Sequence, residues 1–219
     1  MMALKRTLQG GKVMFGAGPE GDATMCKLAD HTVTSGATAI SCILAGNRLT
    51  VANAGDSRGV LCRQGEAVSL SYDHKPIHEI ERERIVRGGG FITEANGHHR
   101  VNGNLNLSRS LGDLKYKQGA QPWSGQIITA EPDIIELTLH QGDEFFALAC
   151  DGVWDVMTNA ELVAFVRAQL SRSPKPSLSQ VCEAVLDFCC CEDPKSPDSK
   201  GVGTDNMTMV LVDLGQMVH

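Results

Sequence analysis

The sequence has few aromatic residues, no excess of positive charge and no long apolar run. Phe, Trp and Tyr together make up 5% of the chain, too few for a platform that stacks nucleic-acid bases. The formal net charge of −6 argues against binding to nucleic acid or to an anionic membrane surface. No run approaches the roughly 18 apolar residues that a membrane-spanning helix needs. We therefore expect no nucleic-acid partner and no membrane partner.

The first residues and the cysteines bear on the cellular compartment. Lys5 and Arg6 are not followed by the apolar core of a secretory signal peptide. The chain has eight cysteines, none spaced as C-x-x-C, and most lie in apolar runs. They are typical of reduced, buried thiols rather than of a disulfide framework. We expect a cytoplasmic or nuclear protein.

The chain of 219 residues, 42% of them hydrophobic, can form one sizeable core. Residues 1–34 are Gly-rich and weakly patterned, and we predict a folded domain over 35–215. Short apolar runs separated by Gly, Asn and Asp turns predict an antiparallel meander. Its runs cover residues 38–44, 48–54, 58–62 and 67–70.

Helices are predicted by their end signals and by apolar spacing. Pro76 and the Gly88–Gly90 run mark the start and stop of one helix, with Ile77, Ile80 and Ile85 on a shared face.

Two further helices follow capping boxes, each made of a Ser or Thr with a Glu or Gln three residues later. One box begins at Thr158 and the other at Ser177. A hairpin around Asn96, a buried strand over 144–150 and an alternating strand over 207–214 complete an α+β pattern.

Acidic residues recur where predicted strands meet turns. Asp56 and Asp151 each follow a strand, Asp205 precedes one, and Asp155 lies four residues after Asp151. Carboxylates without His or Cys at ligand spacing favour a hard cation such as Mg²⁺ or Mn²⁺. Taken singly, each Asp is more typical of a turn in which the side chain bonds its own backbone.

Seven segments, in this order, carry a family resemblance. They are SGATA at 35–39, ANAGDSR at 52–58, LSYDHKP at 70–76, ERERI at 81–85, RVNGNLNLSRSLGD at 100–113, ACDGVWD at 149–155 and GTDNMT at 203–208. Together they resemble the metal-dependent Ser/Thr protein phosphatase family (PPM, type 2C). The wording of the fifth segment is similar to the gamma-type members.

The resemblance implies a β-sandwich of two antiparallel sheets flanked by helices. It also implies a site at one end of the sandwich that holds two metal ions, or three, each Mn²⁺ or Mg²⁺. It implies that Asp151 and Asp205 bind a core metal. Asp56, with Asp151 and Asp155, matches a looser third site. Residues 85–113 match a flap beside the site.

The flap carries two further candidates. Arg100 lies on its edge, and Asp113 closes a family motif near the site.

The resemblance also implies what this sequence does not match. The family's phosphate-gripping Arg, its Glu-Asp pair and its Asp-Gly-His-Gly-Gly segment, with the general-acid His, have no counterpart; the string around Asp22 lacks the His. We therefore expect the C-terminal two-thirds of such a domain, without its N-terminal strands and one helix pair. Catalytic residues in the strict sense stay unassigned.

Three functions remain open. The first is hydrolysis of phosphoserine and phosphothreonine in a phosphoprotein substrate by water activated at the dinuclear centre. The second is a truncated or pseudo-phosphatase chain that acts as a binding or regulatory module. The third is a fragment or incomplete gene model whose missing segment restores activity. Exposed sheet surface also predicts self-association.

Other conspicuous residues have simpler structural interpretations. Arg58 is expected to pair locally, His74 to shape a loop, and Trp154 to anchor the turn around it in the core. The run Cys189–Cys191, at the end of a predicted helix, is expected to pack, with one or two thiols exposed.

Overall fold

The computed structural model describes residues 35–95, 97–118, 122–192 and 203–215, together with the backbone of a hairpin near the N-terminus. In that hairpin strand β1 (Arg6–Gln9) pairs antiparallel with β2 (Lys12–Phe15). The remaining strands form two larger antiparallel sheets and two small two-stranded ones.

The first larger sheet has three strands in the order β11-β5-β4. Its strands are β4 (Ala39–Ala45), β5 (Arg48–Ala54) and β11 (Asp133–Thr138). β4 and β5 are the predicted hairpin, in which Ala45 pairs with Arg48 across a two-residue turn. Gly46 has a φ of 60°, the left-handed conformation that such a turn requires.

The second larger sheet has four strands in the order β13-β12-β6-β7. Its strands are β6 (Arg58–Arg63), β7 (Glu66–Ser69), β12 (Asp143–Ala149) and β13 (Met209–Asp213). β12 lies in the middle, and nearly every side chain along it is buried. The continuous apolar run that predicted this strand is therefore explained by burial on both of its faces.

The two sheets pack face to face, and helices cover the outer face of the four-stranded one. Leu49 and Val51 of the first sheet meet Leu61 and Phe146 of the second in one core. On the opposite face of β12, Phe145 packs against the helices. The predicted α+β sandwich of two antiparallel sheets flanked by helices is confirmed.

Three helices follow β12. They are α2 (Asp151–Trp154), α3 (Asn159–Leu170) and α4 (Leu178–Cys189). Both predicted capping boxes are present: Thr158 caps α3 with Glu161, and Ser177 caps α4 with Gln180. Each box satisfies backbone donors that the first helical turn would otherwise leave free.

The earlier helix, α1 (Glu79–Arg87), differs from its prediction in two respects. It begins three residues after Pro76, and it stops at Gly88 as expected. Ile85 is fully buried, but Ile80 is 77% exposed and Ile77, which precedes the helix, is 47% exposed. The shared isoleucine face is therefore wrong.

The predicted flap contains the hairpin of β8 (Ile92–Ala95) and β9 (His98–Val101). Strand β10 (Leu111–Gly112) then pairs with β3 (Gly36–Ala37) and ties the end of the flap to the start of the first sheet.

Two charged side chains, Glu81 and Arg84, share the buried face of α1 with Ile85. Glu81 is 3% exposed; its carboxylate accepts hydrogen bonds from Arg84 (2.6 Å), Arg109 (2.6 and 3.0 Å) and Ser108. Arg109 also donates to Asp133 on β11 at 2.7 Å. We call these five residues the Glu81 network; it fastens α1 and the flap base to the sandwich.

Burial by itself would raise the pKa of Glu81, because it disfavours the charged form. The hydrogen bonds from Arg109 and Ser108, with the charges of both arginines, outweigh burial and lower the pKa to about 2. Glu81 is therefore ionised in the folded chain, and each buried arginine depends on it for charge compensation.

We expect Glu81→Gln to lower the free energy of unfolding by about 3 kcal/mol, because it leaves the buried Arg84 guanidinium without the carboxylate it bonds and leaves Arg109 with Asp133 alone. Urea titration measures the loss. Glu83→Gln on the same helix is the control, since Glu83 is exposed and lies 3.7 Å from Arg87. That variant should change stability by less than about 0.5 kcal/mol. Equal losses in the two variants would contradict the network.

Lowering the pH should reveal the same contribution of Glu81 to stability. The pKa of Glu81 in the folded chain, about 2, lies below the ordinary value of 4.5 for a glutamate. Its contribution is complete above about pH 4.5 and is lost as the pH falls toward 2. Between pH 5 and 3 the wild type should therefore lose more stability than Glu81→Gln, as followed by thermal unfolding at stepped pH. Parallel pH profiles would show that Glu81 is not the group responsible.

Candidate metal centre

The four acidic residues singled out as metal ligands are Asp56, Asp151, Asp155 and Asp205, here called the carboxylate set. Asp151 is the first residue of α2, directly after β12, and Asp155 caps the other end of this single helical turn. The Asp155 N–H donates to the Asp151 carbonyl at 2.7 Å, which fixes their spacing.

Asp205 is brought to Asp151 by the junction of β12 and β13. The Cys150 N–H donates to the Thr208 carbonyl, and the Thr208 N–H donates to the Cys150 sulfur, both at 3.2 Å. A Cβ at Gly152 would lie 2.6 Å from the Asn206 carbonyl oxygen, so only glycine allows this approach. The small residue beside Asp151 thus lets the Asp205 segment pack against α2.

Asp56 lies in the turn between β5 and β6, residues 55–58, and is 2% exposed. This turn is held by three consecutive residues, 73–75. Asp73 accepts two bonds from Arg58, each 2.8 Å. Lys75 donates to Asp56 at 2.5 Å.

His74, between them, binds the first residue of the turn. The Gly55 N–H donates to His74 Nδ1 at 3.0 Å, and His74 Nε2 lies 3.1 Å from Asp133 Oδ2. The two bonds fit the Nε2–H tautomer. The predicted loop-shaping role of His74 is confirmed, and it joins the turn to the Glu81 network.

Mutual repulsion shows that the carboxylate set shares one region. The pKa of Asp151 is raised, first by burial and then by the negative charges of Asp56, Asp155 and Asp205. Lys75 opposes this and lowers the pKa. Residues far apart in the sequence are therefore close enough to Asp151 to influence its charge.

The donor set has the right chemistry for Mg²⁺ or Mn²⁺, which prefer carboxylate oxygens. A divalent cation would also relieve the repulsion that raises the pKa of Asp151. Among the residues that the structure describes, however, no group of three or more His, Cys, Asp or Glu side chains converges closely enough to hold a metal ion. The oxygen donors fit, and their arrangement is not by itself a closed coordination shell.

The two flap candidates lie in local contacts instead. Arg100, on β9, donates to the Asn104 carbonyl at 2.7 Å. Asp113 is 5% exposed, has a φ of 50° and accepts from the Ser110 hydroxyl at 2.6 Å. Their roles toward substrate stay predictions.

Several structural interpretations are confirmed. Arg58 pairs with Asp73, donates to Asn159 at 2.9 Å and lies 5.1 Å from the Trp154 ring centroid. Trp154 is 7% exposed, and its ring N–H donates to the Ala149 carbonyl. At the end of α4, Cys189 is buried, Cys190 is exposed and Cys191 is half-buried.

The sequence did not predict the salt bridge of Lys75 to Asp56 or the buried contacts of the Glu81 network. The signal for Lys75 was its position two residues after Asp73 in a segment already singled out. For the network, the acidic and basic residues three apart on α1 look like a solvated helix face, and nothing local distinguishes them from one.

Comparisons with known proteins bear on this geometry. The family model described as "Protein phosphatase 2C" matches residues 17–196. The chain is 49% identical over 179 residues to "Probable protein phosphatase 2C 60" of Arabidopsis thaliana, covering 81% of this chain and 47% of that protein. It is 48% identical to "Probable protein phosphatase CG10417" of Drosophila melanogaster, covering 81% and 26%.

Solved structures agree in fold. A phosphatase from Toxoplasma gondii superposes with a TM-score of 0.64 at 32% identity, covering 78% of this chain and 50% of that one. A Caenorhabditis elegans sex determining protein has a TM-score of 0.65 at 26% identity, covering 83% and 41%. The narrower gamma-type resemblance stays a prediction.

The chain spans about half the length of the first of these curated relatives. No helix among its described residues is long and apolar enough to cross a bilayer. The ordered motifs, the sandwich, and the match of most of the chain to one family model agree, and the chain belongs to the protein phosphatase 2C family.

Proposed function

We propose that this chain supplies the acidic metal-binding end of a protein serine/threonine phosphatase that hydrolyses phosphoserine and phosphothreonine in phosphoproteins. One observation carries the proposal: Asp151 is partly buried, and besides this burial the charges of Asp56, Asp155 and Asp205, from three different parts of the chain, raise its pKa. A fold that tolerates this repulsion favours a cation as the missing partner.

Asp151 and Asp205 would hold a core Mn²⁺ or Mg²⁺ ion, and Asp56, with Asp151 and Asp155, would hold a looser one. Bound there, divalent cations lower the pKa of water and neutralise charge on a phosphoryl group. The protein's own part is orientation. α2 fixes Asp151 and Asp155 one turn apart, and the β12–β13 junction brings Asp205 beside them. Arg100 and Asp113, on the flap, are proposed to border the substrate.

A second candidate, a binding or regulatory module with little activity, is favoured by a different observation. The described His, Cys, Asp and Glu residues form no metal-holding group of three. Such a chain could still present the acidic end and the flap to a phosphoprotein or to a full-length partner. We propose a cytoplasmic or nuclear location for either function.

The two candidates differ in turnover. If the first candidate holds, the chain should hydrolyse a phosphothreonine peptide only when Mn²⁺ is present, with Asp151→Asn at least about 100-fold slower, since it removes a charged ligand. The assay is phosphate release with and without Mn²⁺.

Asp187→Asn, an exposed change on α4, is the control and should behave as the wild type. Full activity in Asp151→Asn would refute the metal role. No turnover by the wild type, with the peptide still bound, would favour the module.

We also propose self-association through the first sheet. Ile40, Cys42 and Leu44 of β4 face the inter-sheet core, so the alternating Ile43 lies on the opposite face, where it is 62% exposed. Among the described strands β4 is also an edge of that sheet. Unpaired edge groups beside an exposed isoleucine favour strand pairing between copies.

Static light scattering should therefore show a mass that rises above 23.5 kDa with concentration. Ile43→Lys should return the chain to the monomer mass. Phe188→Lys, an equally exposed position on α4 beyond the second sheet, should not. A wild-type monomer at all concentrations would rule the proposal out.

A further inference from the structure

Lys75 is the cation that reaches into the carboxylate set. Its ammonium lies 2.5 Å from Asp56 Oδ2, and its charge lowers the pKa of Asp151. The Asp56 side chain is 2% exposed, whereas that of Lys75 is 30% exposed. The charge of the buried Asp56 carboxylate is thus balanced by the ammonium of Lys75, whose side chain is partly exposed to solvent.

The backbone that carries Lys75 is fixed on both sides. His74 binds Gly55 through its backbone and its ring, and Pro76 follows directly. The His74 carbonyl also accepts from the Ser108 N–H at 2.9 Å. The backbone of Lys75 is therefore held in place, and its ammonium reaches Asp56 on a flexible four-carbon side chain.

Arg58, the neighbouring cation, behaves differently. Its guanidinium makes two bonds to Asp73 and a third to Asn159, and it stacks on Trp154. A guanidinium held by three hydrogen bonds and an aromatic ring has little freedom to move. Lys75 is a point charge on a rotatable stem, so it can leave Asp56 without disturbing the backbone.

We infer that Lys75 is a tethered cation that occupies Asp56 when no divalent ion is bound and withdraws when one binds. Resting on the proposed function, this makes Lys75 a residue that sets the affinity of the looser metal site. The Asp56 carboxylate, which accepts from the ammonium, is also one of the groups that would hold the looser metal. An ammonium and a divalent cation held against one carboxylate also repel each other.

Mn²⁺ binding by isothermal titration calorimetry tests the competition. Lys75→Met keeps the stem and removes the charge, so we expect Mn²⁺ to bind about tenfold more tightly. Lys175→Met is the charge-matched control, because Lys175 is 61% exposed and lies 3.6 Å from Asp213. That control should bind Mn²⁺ as the wild type does.

Lys75→Arg is the second variant, in case the unpaired Asp56 prevents Lys75→Met from folding. A guanidinium can hold the carboxylate through two bonds, so Lys75→Arg should weaken Mn²⁺ binding severalfold. Unchanged affinity in the variants that fold would overturn the inference.

Chemical labelling gives an independent readout. Acetylation of Lys75, followed by mass spectrometry, should be slow without Mn²⁺ and severalfold faster at saturating Mn²⁺, with Lys175 unchanged. Equal labelling of Lys75 in both states contradicts its withdrawal.

The outcomes separate this inference from the proposed function. Mn²⁺ binding that Asp151→Asn abolishes but that neither Lys75 variant alters overturns the tethered cation and leaves the metal centre intact. No Mn²⁺ binding by any variant overturns both.

Discussion

The acidic end of the sandwich depends on the pairing of residues 73–75 with the turn at residues 55–58. Asp73 holds Arg58, His74 holds Gly55, and Lys75 holds Asp56. A buried carboxylate such as Asp56 is costly unless it is paired and hydrogen-bonded. The segment meets that requirement and also fixes the direction from which Asp56 approaches Asp151.

Two junctions that are far apart in the sequence lie at this end of the sandwich. The 55–58 turn links the two sheets, because β5 belongs to one and β6 to the other. The β12–β13 junction lies in the second sheet and presents Asp151 and Asp205. His74 then connects the turn through Asp133 to Arg109 and Glu81. A continuous chain of hydrogen bonds therefore connects α1 to the turn that carries Asp56.

Local patterns predicted the elements whose stability is local. The boxes at Thr158 and Ser177 and the hairpin between Ala45 and Arg48 follow from residues a few positions apart. Strand β11 was missed: Ile135 faces the core while the adjacent Ile134 lies on the outer face, which obscures the two-residue period. Glu81 was missed as a buried residue because its partner Arg109 is 28 positions away. Burial of such a charge is decided by tertiary structure.

The site could be predicted from the sequence only as residue types at strand ends, since each Asp alone is also an ordinary turn residue. What the structure adds is charge balance. Arg58 is paired with Asp73, and among the described residues Lys75 is the cation that forms a salt bridge with the carboxylate set. The pKa of Asp151 is raised, first by burial and then by the charges of the other three aspartates, and Lys75 opposes this increase. Under the proposed function, the negative charge gathered here is what would draw a hard cation to this end of the sandwich.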